Sequence, residues 1–128
     1  QVIDTLMKFF VELQQSGAEF GFRSAMEIYR LISQMEVLKA DLSVEEKIDI
    51  VIMQKLLPKV HGSRRMLYDI LEKLAGFCLV DSSMAGNLLS NRDFSYDSSE
   101  VVYRLSFEKI HRMYNRLIEN GFTSYAEA

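Results

Sequence analysis

The sequence is poor in the residues that cross-link or stiffen small domains. Its 128 residues include one cysteine, one proline, two histidines and no tryptophan. The single cysteine, Cys78, excludes an internal disulfide framework and suits a reducing compartment. One proline and six glycines speak against a turn-rich β architecture and for long helices. His61 and His111 lie far apart with no cysteine or acid at ligand spacing, so no metal site is expected. No apolar run approaches the length of a membrane span, and the start carries no signal-peptide pattern. A cytoplasmic location follows as the expectation. Also missing are a G-x-x-x-x-G-K-[ST] phosphate loop, an apolar run ending in paired acids for magnesium, and a nucleophile-elbow glycine pattern. Catalytic residues are therefore not expected within this chain.

What remains is ordinary globular composition, 48% apolar and 26% charged, with a net charge of -3. Residues 1–50 hold nine Asp/Glu against five Lys/Arg, and residues 51–128 hold nine against ten. That basic excess is smaller than a dedicated nucleic-acid module shows. The chain opens "QVIDTLMKFF" without an initiator methionine and already in helical phase, and is expected to be a portion of a longer protein.

Hydrophobic periodicity predicts a first helix over 2–15, with Ile3, Leu6, Met7, Phe10 and Leu13 as its apolar stripe. Gly17 and Gly21 then break the pattern. A second helix is predicted over 22–40, with Ile28, Leu31, Ile32, Met35 and Leu38 inward. "DLSVEEK" starts a third: Ser43 is an N-cap candidate, Glu46 completes a capping box, and Glu45 suits the positive helix end. Its body, "IDIVIMQKLL", is apolar almost all round and belongs at the centre of a bundle. A fourth helix over 63–79 places Leu67, Ile70, Leu71, Leu74, Phe77 and Cys78 on one face. There Cys78 reads as a buried structural thiol, and the scattered Met7, Met26, Met35, Met53 and Met113 as adaptable core filler.

Residues 80–99 are polar and serine-rich and read as a long connection. "EVVYRL" is a strand candidate, 106–120 a helix with Gly121 as its C-cap, and "FTSYA" a second strand candidate. The expected fold is mainly α: a four-helix bundle over 1–79, the connection over 80–99, and over 100–128 a C-terminal helix flanked by a short two-stranded β-ribbon. All three form one domain.

The stretch "QKLLPKVHGSRR" carries the densest chemistry. Pro58 ends or kinks the third helix near Leu57, Gly62 permits a chain reversal, and Ser63 can cap the next helix. Left over are Lys55, Lys59, His61, Arg64 and Arg65, gathered around a helix start that does not favour cations. They suit solvated surface, contact with a partner protein, or phosphate of a nucleic-acid backbone.

Three stretches, "EFGFRSAMEIYRLI" (19–32), "IMQKLLPKVHGSRRML" (52–67) and "EVVYRLSFEKIHRMYNRLIENGFTSY" (100–125), together resemble the C-terminal part of McrB-type AAA+ motors. These are the nucleotide-hydrolysing subunits of modification-dependent restriction systems. The resemblance implies a helical lid that follows an upstream nucleotide-binding core, with ATP or GTP and magnesium bound in the full-length protein. It implies that Arg23 is a sensor 2 arginine, whose guanidinium can fork onto phosphate oxygens. As partners it implies a homo-oligomeric ring with nucleotide at subunit boundaries, a McrC-like nuclease, and DNA reached through the full complex. Arg23 equally fits a surface pair with Glu27.

Two further readings stand beside the lid. "SFEKIHRMYNRLIENGF" is also similar to the recognition helix and wing of a winged-helix DNA reader. Lys109, Arg112 and Arg116 would share one face, with Arg104 just upstream. Residues 100–128 balance four Lys/Arg with four Asp/Glu, which favours packing or subunit contact over DNA reading. The third is a protein-interaction module with no nucleotide link.

Overall fold

A computed structural model describes residues 2–15, 26, 29, 30, 33, 41–126 and 128. The first helix, α1, spans Val2–Gln15 as its periodicity predicts. Among its described side chains Phe9 is buried and meets Phe77 edge-on at 5.2 Å and Tyr103 at 6.5 Å, while Met7 of the expected stripe is exposed; the side chains of Ile3, Leu6, Phe10 and Leu13 lie outside the described ones. A ring fills the space between two other rings better than a thioether does, and such pairs add to burial alone. The predicted second helix is described only at Met26, Tyr29, Arg30 and Ser33, all helical and all exposed. Its expected inner face, its start at Gly17 and Gly21, and Met35 lie outside the described residues.

Helix α2, Val44–Val51, starts with the expected capping box: Ser43 accepts the Glu46 N–H, and Glu46 accepts the Ser43 N–H, each at 3.1 Å. Pro58 then dictates how it ends. The proline has no N–H, and its ring would strike the carbonyl four residues back. The chain widens to a π-helix over Ile52–Leu56 and tightens to a 3₁₀ turn over Leu57–Lys59. As the all-round apolar run predicts, Ile48, Val51, Ile52, Leu56 and Leu57 are buried.

The corner after Pro58 is a strand, not a bare turn between helices. Strand β1, His61–Ser63, pairs antiparallel with β2, Phe122–Ser124, in the register His61↔Ser124, Gly62↔Thr123, Ser63↔Phe122. The expected ribbon therefore exists, but "EVVYRL" takes no part in it. Val101 makes only an isolated bridge to Leu79, and Arg104 is already helical. The β-propensity of Val101 and Val102 is overridden because the Cys78 carbonyl accepts the N–H groups of Val102 and Tyr103 and steers the chain into a helix. Ser63 precedes α3, Arg64–Phe77, without capping it by its side chain. Held in the ribbon, it leaves the Arg64 N–H to donate to the Gly121 carbonyl at 2.9 Å.

Residues 80–99 are more ordered than their composition predicts. They contain a 3₁₀ turn, Ser82–Met84, and a short helix α4, Ala85–Leu89. Leu88 and Leu89 are buried, and Phe94 and Tyr96 pack edge-on against Phe107. Helix α5, Arg104–Asn120, ends at Gly121 in left-handed conformation (φ 75°), the C-cap that the sequence predicts. It buries Phe107, Ile110, Tyr114 and Leu117 as expected, with Met113 beside them. Among the described methionines, Met113 is buried and Met53 packs on the core, but Met7 and Met26 are exposed and fill nothing.

One core joins these elements. Leu67, Leu71 and Leu74 of α3 and Cys78 are fully buried among residues of α1, α2, α4 and α5. Each such leucine contributes roughly 1.5–3 kcal/mol over an exposed one. Burial, with the Asp49 charge behind it, pushes the Cys78 thiol well above its usual range, as expected of a structural thiol. Among the described residues, no helix is long and apolar enough to cross a membrane.

Candidate functional site

Between Asp49 and Asp69 the chain carries Lys55, Lys59, His61, Arg64 and Arg65 and no acid. The fold condenses this run into one corner. Lys59 closes the 3₁₀ turn, His61 opens β1, and Arg64 and Arg65 are the first two residues of α3; all four are exposed. Gly62 sets which way the ribbon faces. A Cβ there would lie 3.3 Å from Leu67 Cγ, so this position is turned against α3. Side chains alternate along a strand, so His61 and Ser63 take the opposite, outer face. On β2 the buried residue is Thr123, and its neighbour Phe122, opposite Ser63, is 47% exposed. Met66, in the first turn of α3, is 54% exposed.

The corner is thus a basic surface with two apolar residues in it. The Arg64 guanidinium lies 5.7 Å from the centre of the Tyr68 ring, a cation–π distance that leaves its charge in place. The start of α3 adds the positive end of a 14-residue helix that the Ser63 side chain does not cap, with the Arg64 N–H donating to the Gly121 carbonyl. Cations at that position weaken the helix slightly, so local stability does not account for them. Chemically the surface can hold an anion and can cover an apolar group. The sequence singles out the cations but not Met66 and Phe122. The Phe-Thr-Ser alternation separates Phe122 from Thr123, yet only the partner strand decides which of them is inside.

The cations of the C-terminal helix are arranged differently. Arg104 pairs with Asp97 at 3.1 Å, and Arg112 with Glu108 at 2.9 Å. Lys109 donates to the Ala128 oxygen at 2.8 Å and lies 4.4 Å from the centre of the Tyr125 ring. Burial, and then Arg112, lower its pKa. Arg116 is exposed on the same helix. The ribbon, moreover, joins β2 to a strand that precedes α3, so it is not a hairpin that follows α5. Arg23, the sensor candidate, lies outside the described residues.

A family model described as a domain of unknown function, DUF8727, matches residues 1–122. The chain belongs to the DUF8727 family. No curated protein and no solved structure matches it.

The span matched to DUF8727 contains the whole basic corner and every described helix. It also contains two open clefts that meet at Gly76, Phe77 and Ser82. One, of about 390 Å³, is flanked by Asp69, Glu72 and Lys73; the other, of about 530 Å³, by Thr5, Lys8 and Tyr103. Among the described residues of this DUF8727 member, no group of three or more His, Cys, Asp or Glu side chains could hold a metal ion. His111 is committed elsewhere. A carbonyl oxygen only accepts, so His111 Nε2 carries the proton and donates to Leu89 O at 3.0 Å, while Nδ1 accepts the Tyr96 hydroxyl at 2.7 Å. Both ring nitrogens are used to fasten the 80–99 segment to α5.

Proposed function

We propose that this chain is the C-terminal helical lid of an AAA+ nucleoside-triphosphatase of restriction type, a part that completes a nucleotide pocket without building one. The reading is supported by the three ordered stretches that resemble McrB-type motors and by a mainly helical fold of the expected kind. The observation that carries it is the corner. The second of those stretches coincides with an exposed basic surface at the end of the bundle, where anionic or partner surface can approach.

On this reading ATP or GTP, with magnesium, is bound by an upstream core of the same polypeptide. This chain contributes the Arg23 guanidinium, the corner of Lys59, His61, Arg64 and Arg65 as a contact surface, and no nucleophile or base. The single cysteine, reduced and buried, fits a cytoplasmic protein.

The test is Arg23→Ala in the full-length protein, with ATP and GTP turnover measured at saturating nucleotide. A sensor arginine acts on the terminal phosphate, so turnover should fall at least about tenfold while the protein stays folded. Unchanged turnover removes the assignment, and an upstream sequence without a phosphate loop removes the reading.

A further inference from the structure

The chain carries four asparagines, and one of them, Asn120, is followed by glycine. An asparagine amide is open to attack by the backbone nitrogen of the next residue, and a side chain on that residue hinders the approach. Asn87, Asn91 and Asn115 precede Leu88, Arg92 and Arg116, whereas Gly121 has no Cβ. The fold leaves this place accessible. Asn120 and Gly121 are both exposed, and a Cβ built on Gly121 would meet nothing within 4 Å among the described residues, so water reaches the junction.

Two hydrogen bonds hold Gly121 against that attack. Its N–H donates to the Leu117 carbonyl at 2.8 Å in the last turn of α5, and its carbonyl accepts the Arg64 N–H at 2.9 Å. A nitrogen in such a bond keeps its proton and does not attack. The turn is the end of a helix, however, where opening is least costly. Beyond it β2 begins at once: Phe122 pairs with Ser63 and Thr123 with Gly62.

We propose that Asn120 is a deamidation site, with water as co-reactant, and that the two Gly121 bonds set its rate. When the last turn opens, Gly121 N loses its proton and bonds to Asn120 Cγ; the Cγ–Nδ2 bond breaks and ammonia leaves with that proton. Water then opens the resulting succinimide at either carbonyl, giving aspartate or isoaspartate. Isoaspartate carries the backbone through its side chain and adds one methylene between α5 and β2. That displaces Gly121 from the Arg64 N–H and β2 from its register with β1. Aspartate instead puts a carboxylate beside Glu119 at the negative end of α5, where the dipole disfavours it. Both products loosen the ribbon that supports the basic corner. The site needs no nucleotide and is independent of the lid assignment.

The protein is incubated in mildly alkaline buffer at physiological temperature, folded and in concentrated guanidinium chloride, and then mapped by tryptic digestion. Conversion of each asparagine is read by mass, and isoaspartate by labelling with an isoaspartyl methyltransferase. Unfolded, Asn120 should convert at least tenfold faster than the other three. Folded, it should convert more slowly than unfolded but still first of the four. Arg64→Pro removes the N–H donor at the first position of α3, where proline is tolerated, and Ser63 before it is already extended. This variant should speed Asn120 conversion at least threefold in the folded protein and leave the unfolded rate unchanged. If circular dichroism shows that it does not fold, amide exchange at Gly121 takes its place: the open fraction times the unfolded rate should equal the folded rate. Asn120→Gln should abolish conversion at this position, and converted protein should melt below the wild type. Folded protein in which Asn120 converts no faster than Asn91 would overturn the proposal, as would equal rates in the folded and unfolded chains. A folded Arg64→Pro protein that converts at the wild-type rate, or converted protein that melts with the wild type, would do the same.

Discussion

Asp49 and Ser106 lock the start of one helix to the middle of another. The Asp49 carboxylate accepts the Ser106 N–H at 2.7 Å and, through its other oxygen, the Leu105 N–H at 2.7 Å; the Ser106 hydroxyl donates back to the Asp49 carbonyl at 3.2 Å. Both residues are buried. A carboxylate in such a place is stable because two helix-end donors and the positive end of α5 face it. The pair fixes where α5 begins, and through α5 where β2 meets β1, so the geometry of the basic corner depends on it.

Replacing Asp49 by Ala leaves a buried N–H, that of Ser106, and a part-buried one, that of Leu105, without their acceptor. Each unsatisfied donor costs about 1–3 kcal/mol, so urea denaturation should show a loss of about 2–5 kcal/mol. Asp49→Asn keeps one amide oxygen as an acceptor and loses the charge, and should fall between Ala and wild type. Equal stability of the Ala variant and wild type would mean that the cap contributes nothing.

The difference between what the sequence discloses and what it hides follows from the range of each interaction. The Ser43–Glu46 box, Gly121 and the close at Pro58 of the helical run that α2 begins depend on neighbours within four residues, and all three are legible. The α3 and α5 core faces are legible because a 14- or 17-residue helix repeats its pattern several times. Strand β1 is hidden because three residues with a central glycine acquire strand geometry only from β2, about 60 positions later in the register His61↔Ser124. Helix α4 is five residues long, too short to display a period. Asp49 looks like the polar side of an apolar helix until Ser106 is placed beside it. At the corner the cations are legible from charge alone, whereas Phe122 and Met66 become part of the surface only through the ribbon and the first turn of α3.

Thr123 offers a test in the stabilising direction. It is 1% exposed, and its hydroxyl has no hydrogen-bond partner among the described residues. Valine has nearly the same shape and a higher strand propensity, and it buries no polar atom. Thr123→Val should raise the stability by about 1 kcal/mol. With ΔΔG of that size, the thermal midpoint should rise by a few degrees. A midpoint that falls would show that the hydroxyl has a partner after all.

The last expectation concerns pH and the fastening of the 80–99 segment. Burial lowers the His111 pKa from its ordinary 6.5; the Leu89 carbonyl works the other way, and Arg92, itself paired with Glu119, lowers it further. The fold thus prefers neutral imidazole, with Nε2 donating to Leu89 and Nδ1 accepting from Tyr96. In the unfolded chain His111 takes up a proton more readily, so its contribution is complete above 6.5 and declines as pH falls below it. Urea midpoints at about pH 7.5 and about pH 5 should therefore differ, the acid one being lower. His111→Gln loses at least one of the two hydrogen bonds and should cost about 1–3 kcal/mol at the higher pH. It should also shrink the difference between the two pH values, because glutamine does not titrate and the carboxylates are common to both proteins. An equal drop in the variant would place the acid sensitivity elsewhere in the chain and leave His111 as a hydrogen-bonding strut alone.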